Sequence, residues 1–484
     1  MRSARLPFQT FFLTFALLCG TLAATTQAQE AANPAAQDAD RTSETRAVPW
    51  RQASLVGWRD RLHLALRDQR HAYGGLFFDR GRLRNLVPKM DHEYDLDLMT
   101  FAYTLQEDAA WYQAPHGFRT YMGSISTSRF ATQNHFRTTV PIRGRHTVRL
   151  SGVQQEDLQA QRFFVEFGYD YRLSTRQRLG FTETIAAYKP DLDFSLFYQH
   201  GDVREGLVRA EVFFLDIVNN FIFDGLGVDP VLEDTTRSYG RKPRLFALYL
   251  ASPPLGRFRA ELAAGLQPQA RARVASQAAP DSSFRFHDAA SYAGGLMEYA
   301  FPDVTLGLVY RHTRTSAARR PDPGSVLTSD YTSTQRAREA TLYILADVWR
   351  LRGEAWVGRE VYTDWQQGTD FSQASISTPL DFKEQRQTVH LRLRYVPAAA
   401  GLLLGLSYLD LGRRFPSDYE PIRRYLRFAP QSPNRRLSVH LGYQFTPHAS
   451  IVFGGNIDVD GDAFYGDRGL TYYDGGFCQI AIVW

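Results

Sequence analysis

The chain has 484 residues, 44% of them hydrophobic and 13% aromatic, with 56 Lys+Arg, 51 Asp+Glu and a net charge of +5. Mean hydropathy is −0.34, and beyond residue 28 there is no apolar run of the roughly 20 residues that a spanning helix needs, which excludes a helical membrane protein. The length suits two soluble domains or one large barrel. Basic residues are dispersed, which argues against a nucleic-acid partner. Apart from Lys89, Lys189, Lys242 and Lys383 they are all arginine, whose rigid fork matches carboxylates and phosphates; a GC-rich genome would produce the same bias.

In chain order, Arg2 and Arg5 precede the apolar run from Pro7 to Leu18, and Thr26-Gln27-Ala28 follows. That order reads as a secretory signal peptide over 1–28, cleaved after Ala28. The apolar run is too short for a membrane anchor, and Leu18 before Cys19 is too large for a lipoprotein signal. Cys478 is then the remaining cysteine, which leaves neither an internal disulfide nor a thiol metal site. Residues 29–49 are small and polar with little to bury and read as a disordered linker. Residues 50–115 form an N-terminal periplasmic extension or a plug. Leu62, Leu64 and Leu66, and then Met99, Phe101, Tyr103 and Leu105, alternate well enough to add two strands instead. The segment is too short for the large plug of TonB-dependent receptors.

From 116 to 484 the sequence predicts strand after strand. They lie near 118–129, 133–141, 147–155, 162–173, 178–188, 192–200, 206–217, 243–252, 257–270, 284–301, 304–316, 334–349, 354–367, 383–396, 401–412, 435–446, 450–461 and 472–484. Tight links such as Gly144-Arg145-His146, Phe301-Pro302-Asp303 and Thr446-Pro447-His448 alternate with roomy ones such as Val218 to Lys242, Ser316 to Ser333 and Gly412 to Asn434. Short turns at one end and long loops at the other are the habit of membrane barrels. A sandwich has no reason to sort its links, and the internal repeat of a propeller is missing. The expected fold is all-β: a closed antiparallel transmembrane β-barrel of about 18 strands, within a range of 16–20.

The faces separate with a period of two. In 383–396, Val389, Leu391, Leu393 and Tyr395 alternate with Thr388, His390, Arg392 and Arg394; in 435–446, Leu437, Val439, Leu441, Tyr443 and Phe445 alternate with Arg436, Ser438, His440 and Gln444. A charge on the lipid side at mid-depth costs roughly 2–4 kcal/mol, so the ionic face belongs to the lumen. Two residues resist this sorting: Glu183 falls on the apolar face of 178–188, and Arg359 lies among Ala355, Val357 and Val361. Aromatics collect near the tight turns: Tyr171, Tyr299, Phe301, Trp349, Tyr395, Phe445 and Trp484, as an interfacial girdle would place them.

The expected lumen-lining set is Arg172, Arg209, Arg259, Arg311, His390, Arg392, Arg394, Arg436 and His440 with Glu166, Asp170, Glu211 and Glu261. Such charges either face water in a channel or pair across the wall and stiffen it. Of these, His390, Arg392, Arg394, Arg436 and His440 form the candidate anion-facing stripe. Asp458, Asp460 and Asp462 offer oxygen ligands for a divalent cation, but they lack EF-hand spacing, so a solvated acidic loop is preferred and no metal is expected. The sequence shows no phosphate loop, no dinucleotide fingerprint and no Ser–His pair on the outer rim. Asn134-His135 is too weak a pair to build on, so neither a cofactor nor an enzyme is expected.

The last strand is the most specific signal. Cys478, Ile480, Ile482 and Trp484 share one face, and Phe477, Gln479, Ala481 and Val483 the other. An alternating strand ending on an aromatic resembles the C-terminal strand of Gram-negative outer-membrane β-barrel proteins, whose final residue is typically Phe or Trp. The resemblance implies an outer-membrane location with a periplasmic C-terminus, and contact with outer-membrane lipid and lipopolysaccharide. The leading expectation is a porin-like channel for passive diffusion of small hydrophilic solutes, anions included. The alternative is the barrel of a surface-polysaccharide exporter or other outer-membrane assembly, with an envelope partner docking in or below the lumen. The sequence leaves a homo-oligomer open.

Overall fold

The computed structural model describes residues 115–126, 129–156, 161–186, 191–202, 205–219, 235–276, 283–326, 330–368, 380–397, 400–414, 434–446, 448–459 and 473–484. The expected signal peptide (1–28), linker (29–49) and nearly all of the expected extension (50–115) lie outside these residues, as do Asp460 and Asp462. The strands are β1 (His116–Ser126), β2 (Arg129–Arg143), β3 (His146–Glu156), β4 (Gln161–Arg172), β5 (Gln177–Ala186), β6 (Asp191–Asp202), β7 (Gly206–Asn219), β8 (Thr235–Arg241), β9 (Arg244–Ala251) and β10 (Phe258–Ser276). They continue as β11 (Phe284–Ala300), β12 (Val304–Pro321), β13 (Tyr331–Val348), β14 (Leu351–Gly368), β15 (Leu380–Tyr395), β16 (Gly401–Arg414), β17 (Asn434–Thr446), β18 (Ala449–Asp458) and β19 (Tyr473–Val483).

Neighbours in sequence pair antiparallel except around β8, and β1 pairs with β19 to close the ring. β8 and β9 are two halves of one stave, because both run along β10. The barrel therefore has 18 staves. Pro243 lies between the halves; it has no N–H to donate to a ladder. Below it β9 pairs with β7, whereas among the described residues β8 pairs with β10 alone. Sequence alternation had left 235–241 in a loop. It also stopped β10 and β12 about five residues short, because a bulge between Gln267 and Ala270 shifts the period in β10 and the alternation fades in Ala317-Ala318-Arg319-Arg320 of β12.

Links at one end are tight, as at 144–145, 301–303 and 349–350; at the other end they include 220–234, 369–379 and 415–433. The turn at 349–350 holds Trp349 at φ 58°, the one positive φ among described non-glycine residues. That backbone is unfavourable for a bulky residue. It puts the ring at the rim, with the Arg350 guanidinium 5.2 Å from its centroid and Tyr395 6.3 Å away.

Across the ladders, side chains divide into an exposed apolar outer face and a buried inner face. On β13, Leu342, Ile344 and Val348 point outward and are exposed, while Thr341, Tyr343 and Leu345 point inward and are buried. The same holds for Leu402, Leu404 and Leu406 on β16 and for Val439, Leu441, Tyr443 and Phe445 on β17, all exposed. Single exposed leucines are ordinary, but a continuous exposed apolar belt is not. On β14 the outward row runs Leu351, Gly353, Ala355 and Val357 before reaching Arg359. Nine residues span about 27 Å along a strand, or about 20 Å along the axis at the usual tilt of about 40°. That approaches the apolar band of about 25 Å that membrane barrels carry. Arg359, the misfit of the sequence reading, lies at the belt's upper edge. Glu183 does face outward, opposite Phe167 and Phe194.

Candidate functional site on the inner wall

The register puts the described members of the expected lumen-lining set on the inner face. The side chains of Arg436 and Asp458 lie outside the described set, although their backbones pair with each other on β17 and β18. Three groups of side chains build the wall.

On β3–β7, Arg149 donates Nε and Nη2 to Asp170 Oδ1 at 3.2 and 2.8 Å. Glu166 accepts from Thr184 Oγ1 at 3.3 Å. Glu211 accepts from Ser195 Oγ at 2.8 Å and from Arg209 at 3.2 and 3.1 Å. The Phe197 ring lies between two cations, 3.9 Å from Arg209 and 5.3 Å from Arg149. It can lie flat on the wall because Gly180, its register partner, has no side chain.

On β10–β13, Arg259 is 2% exposed and lies between Glu261, with which it pairs closely, and Glu298, 3.7 Å away. Tyr343 donates its hydroxyl to Glu298 and stacks on Trp356 with centroids 4.5 Å apart. Arg311 Nη1 donates to both oxygens of Glu339 at 3.3 and 3.2 Å, and Thr341 Oγ1 donates to the same carboxylate at 3.0 Å. Carboxylates this buried have to be met by donors. The Tyr343 ring covers Gly307, where an added Cβ would fall inside the ring. Replacing Gly307 with valine is therefore expected to expel Tyr343 and so remove both the donor to Glu298 and the Trp356 stack. The expected loss is about 2–4 kcal/mol of stability, read as an earlier midpoint in urea unfolding, with Gly295→Ala as control because an added Cβ there meets only Glu261 O at van der Waals range.

On β15–β17, His390, Arg392 and Arg394 project inward from one strand. His440 reaches Ser407 through Nε2 at 3.2 Å and meets Phe477 edge-on at 5.6 Å. Gly405 leaves room for Arg394 and His440 to approach each other from either side. Glu354 stands opposite Arg392 in register.

One feature escaped the sequence. Between β7 and β14 the inner wall is largely apolar: Phe213, Leu215, Leu245, Tyr249, Tyr292, Leu296, Tyr343 and Trp356 belong to one buried cluster. The lumen therefore has two sides, an aromatic and aliphatic arc with buried ion pairs and a basic, histidine-bearing arc. Among the described residues there is no group of three or more His, Cys, Asp and Glu that could hold a metal.

A closed ring of 18 staves with an apolar belt outside and ionic groups inside defines a transmembrane β-barrel. No protein-family model matches the chain, and no curated protein does. Among solved structures it is similar to OpdK of Pseudomonas aeruginosa crystallised with vanillate, at 12% identity and a TM-score of 0.36, covering 76% of this chain and 96% of that one. It is similar to the FrpB iron transporter of Neisseria meningitidis at 10% identity and 0.37, covering 76% and 74%. It is also similar to a bacterial polysaccharide outer membrane secretin at 7% identity and 0.32, covering 76% and 98%. Likeness this loose carries no weight for function.

Proposed function

We propose that the protein is an outer-membrane channel for small hydrophilic anions, with its long-link end outside and its C-terminus in the periplasm. The supporting observation is the basic arc. Arg352, His390, Arg392, Arg394 and His440 share the inner wall of β14–β17, and Arg394 stands opposite Arg352. Within the arc Arg352 lies 3.9 Å from Asp347 and Glu354 stands opposite Arg392, so cationic groups outnumber carboxylates there. The result is a transverse field that favours anions and orients dipolar solutes. In planar bilayers under a salt gradient, the protein is expected to show an anion-selective reversal potential. Arg392→Gln with Arg394→Gln should move that potential toward cations, and an unchanged value would remove the basic arc as its cause.

A second reading, the barrel of an export or other envelope assembly, is favoured by one observation. A ring of 16–18 strands is too wide for its own side chains to fill, yet Arg259, Tyr343 and Trp356 are 2%, 2% and 3% exposed. A wall so well covered fits a lumen that holds something. Single-channel recording separates the two readings: a steady open conductance supports the channel, and a closed purified protein supports the assembly.

A further inference from the structure

We propose that the outer wall of β12–β14 carries a binding site for a phosphorylated glycolipid of the outer leaflet, of the lipid A type. The inference rests on the barrel spanning a membrane with its long-link end outside, and is independent of whether the lumen conducts. Four arginines form the site: Arg314 on β12, Arg336 and Arg338 on β13, and Arg359 on β14. All four are exposed on the outward face. Arg314 and Arg336 stand directly opposite each other, Arg338 faces His312 and Val361, and Arg359 faces Ala340 and Gln387.

Two contrasts set this cluster apart. Like charges directly opposed on a ladder oppose pairing unless an anion lies between them, and none of the four meets a carboxylate among the described residues. Elsewhere on the outer face arginines do have such partners. Arg435 lies 3.3 Å from Asp410 on β16–β17, and farther up Arg273 and Arg285 share Asp322. The height is the second point. Just below the cluster lie Ala340 on β13, level with Tyr310 and Arg359, and then the apolar row of Leu308, Leu342 and Val357. A soluble phosphate would need only the arginines, whereas an amphiphile uses both rows, with acyl chains on the belt and phosphates on the guanidinium forks. Arginine over lysine suits bidentate phosphate contact. Three adjacent strands about 4.8 Å apart spread the guanidinium groups over about 10 Å of the wall, room for more than one phosphate.

The test uses the full-length protein in a non-phosphorylated detergent, with thermal unfolding followed by heat-modifiable gel mobility. Bisphosphorylated lipid A is expected to raise the unfolding midpoint, whereas dephosphorylated lipid A and inorganic pyrophosphate should not. Combined Arg314→Gln, Arg336→Gln, Arg338→Gln and Arg359→Gln should weaken the apparent affinity at least about tenfold, while Arg435→Gln keeps it. If the fourfold variant does not fold, Arg336→Gln and Arg338→Gln singly give the same reading at smaller size. An equal response to the dephosphorylated lipid, an equal response to pyrophosphate, or an undiminished response in the variants would overturn the proposal. A protein that stayed soluble without detergent would instead overturn the membrane-spanning reading beneath it.

Discussion

Arg259→Ala is expected to destabilise the barrel by about 3–5 kcal/mol. The guanidinium is 2% exposed between Glu261 and Glu298, themselves 4% and 1% exposed. Removing it leaves two carboxylates facing each other with their common cation gone. Breaking one member of such a group costs more than never having built it, because the remaining charges keep their desolvation penalty. Two companion variants locate the effect. Glu298→Gln still accepts from Tyr343 and removes one of the two negative charges, so it should cost less than Arg259→Ala. The triple replacement of Arg259, Glu261 and Glu298 by apolar residues of similar size should recover most of the loss. Urea titration in lipid vesicles, read by tryptophan fluorescence, measures all three. Arg259→Ala as stable as the parent protein would mean that water reaches the triad freely.

The second large effect belongs to the outer face. Ile344→Arg is expected to cost about 2–4 kcal/mol in a bilayer. Ile344 is 46% exposed in the middle of the belt, opposite Leu306 and Ala355. Thr334→Arg, on the same face but above the arginine row, should cost about 0–1 kcal/mol. The ratio matters more than either value. A soluble barrel would accept arginine at both outward positions, so equal small costs would remove the membrane from the interpretation. Equal large costs would mean that the belt extends to Thr334 and that Arg336 and Arg338 lie within it.

The architecture was legible because a half-lipid, half-lumen strand writes its own period of two into the chain. Strands such as β15 and β17, with arginine and histidine strictly alternating with leucine and valine, could be oriented from sequence alone. So could the inward direction of Arg259, Glu261, Arg392 and His440. The apolar arc was not legible, for a physical reason. In β9, Leu245, Ala247 and Tyr249 face inward while Phe246, Leu248 and Leu250 face outward, so composition does not distinguish the faces. Only the register against β7 and β10 does. Partners were equally hidden: Tyr343 reaches Glu298 straight across an intervening strand, over Gly307, a contact that only the register of three strands reveals. Arg359 had seemed to contradict the sorting of faces. It marks instead the height at which the sorting ends, and the pairing of β13 with β14 was needed to see it joined by Arg336 and Arg338.

The seam between β1 and β19 has a kinetic consequence. Gly117 pairs with Val483 and Gly123 with Phe477, and His116 and Trp484 exchange two backbone hydrogen bonds of 3.1 Å. Every other pairing joins strands close in the chain and can zip locally, whereas this one joins Gly117 to Val483, 366 positions further on. Until they meet, His116–Ser126 and Tyr473–Val483 are both bare edges, able to pair with any passing polypeptide. Closure over so long a loop is intrinsically slow. Degradation and aggregation are therefore decided in the interval before the ring locks, and a lesion in Tyr473–Val483 would be felt first as failed assembly.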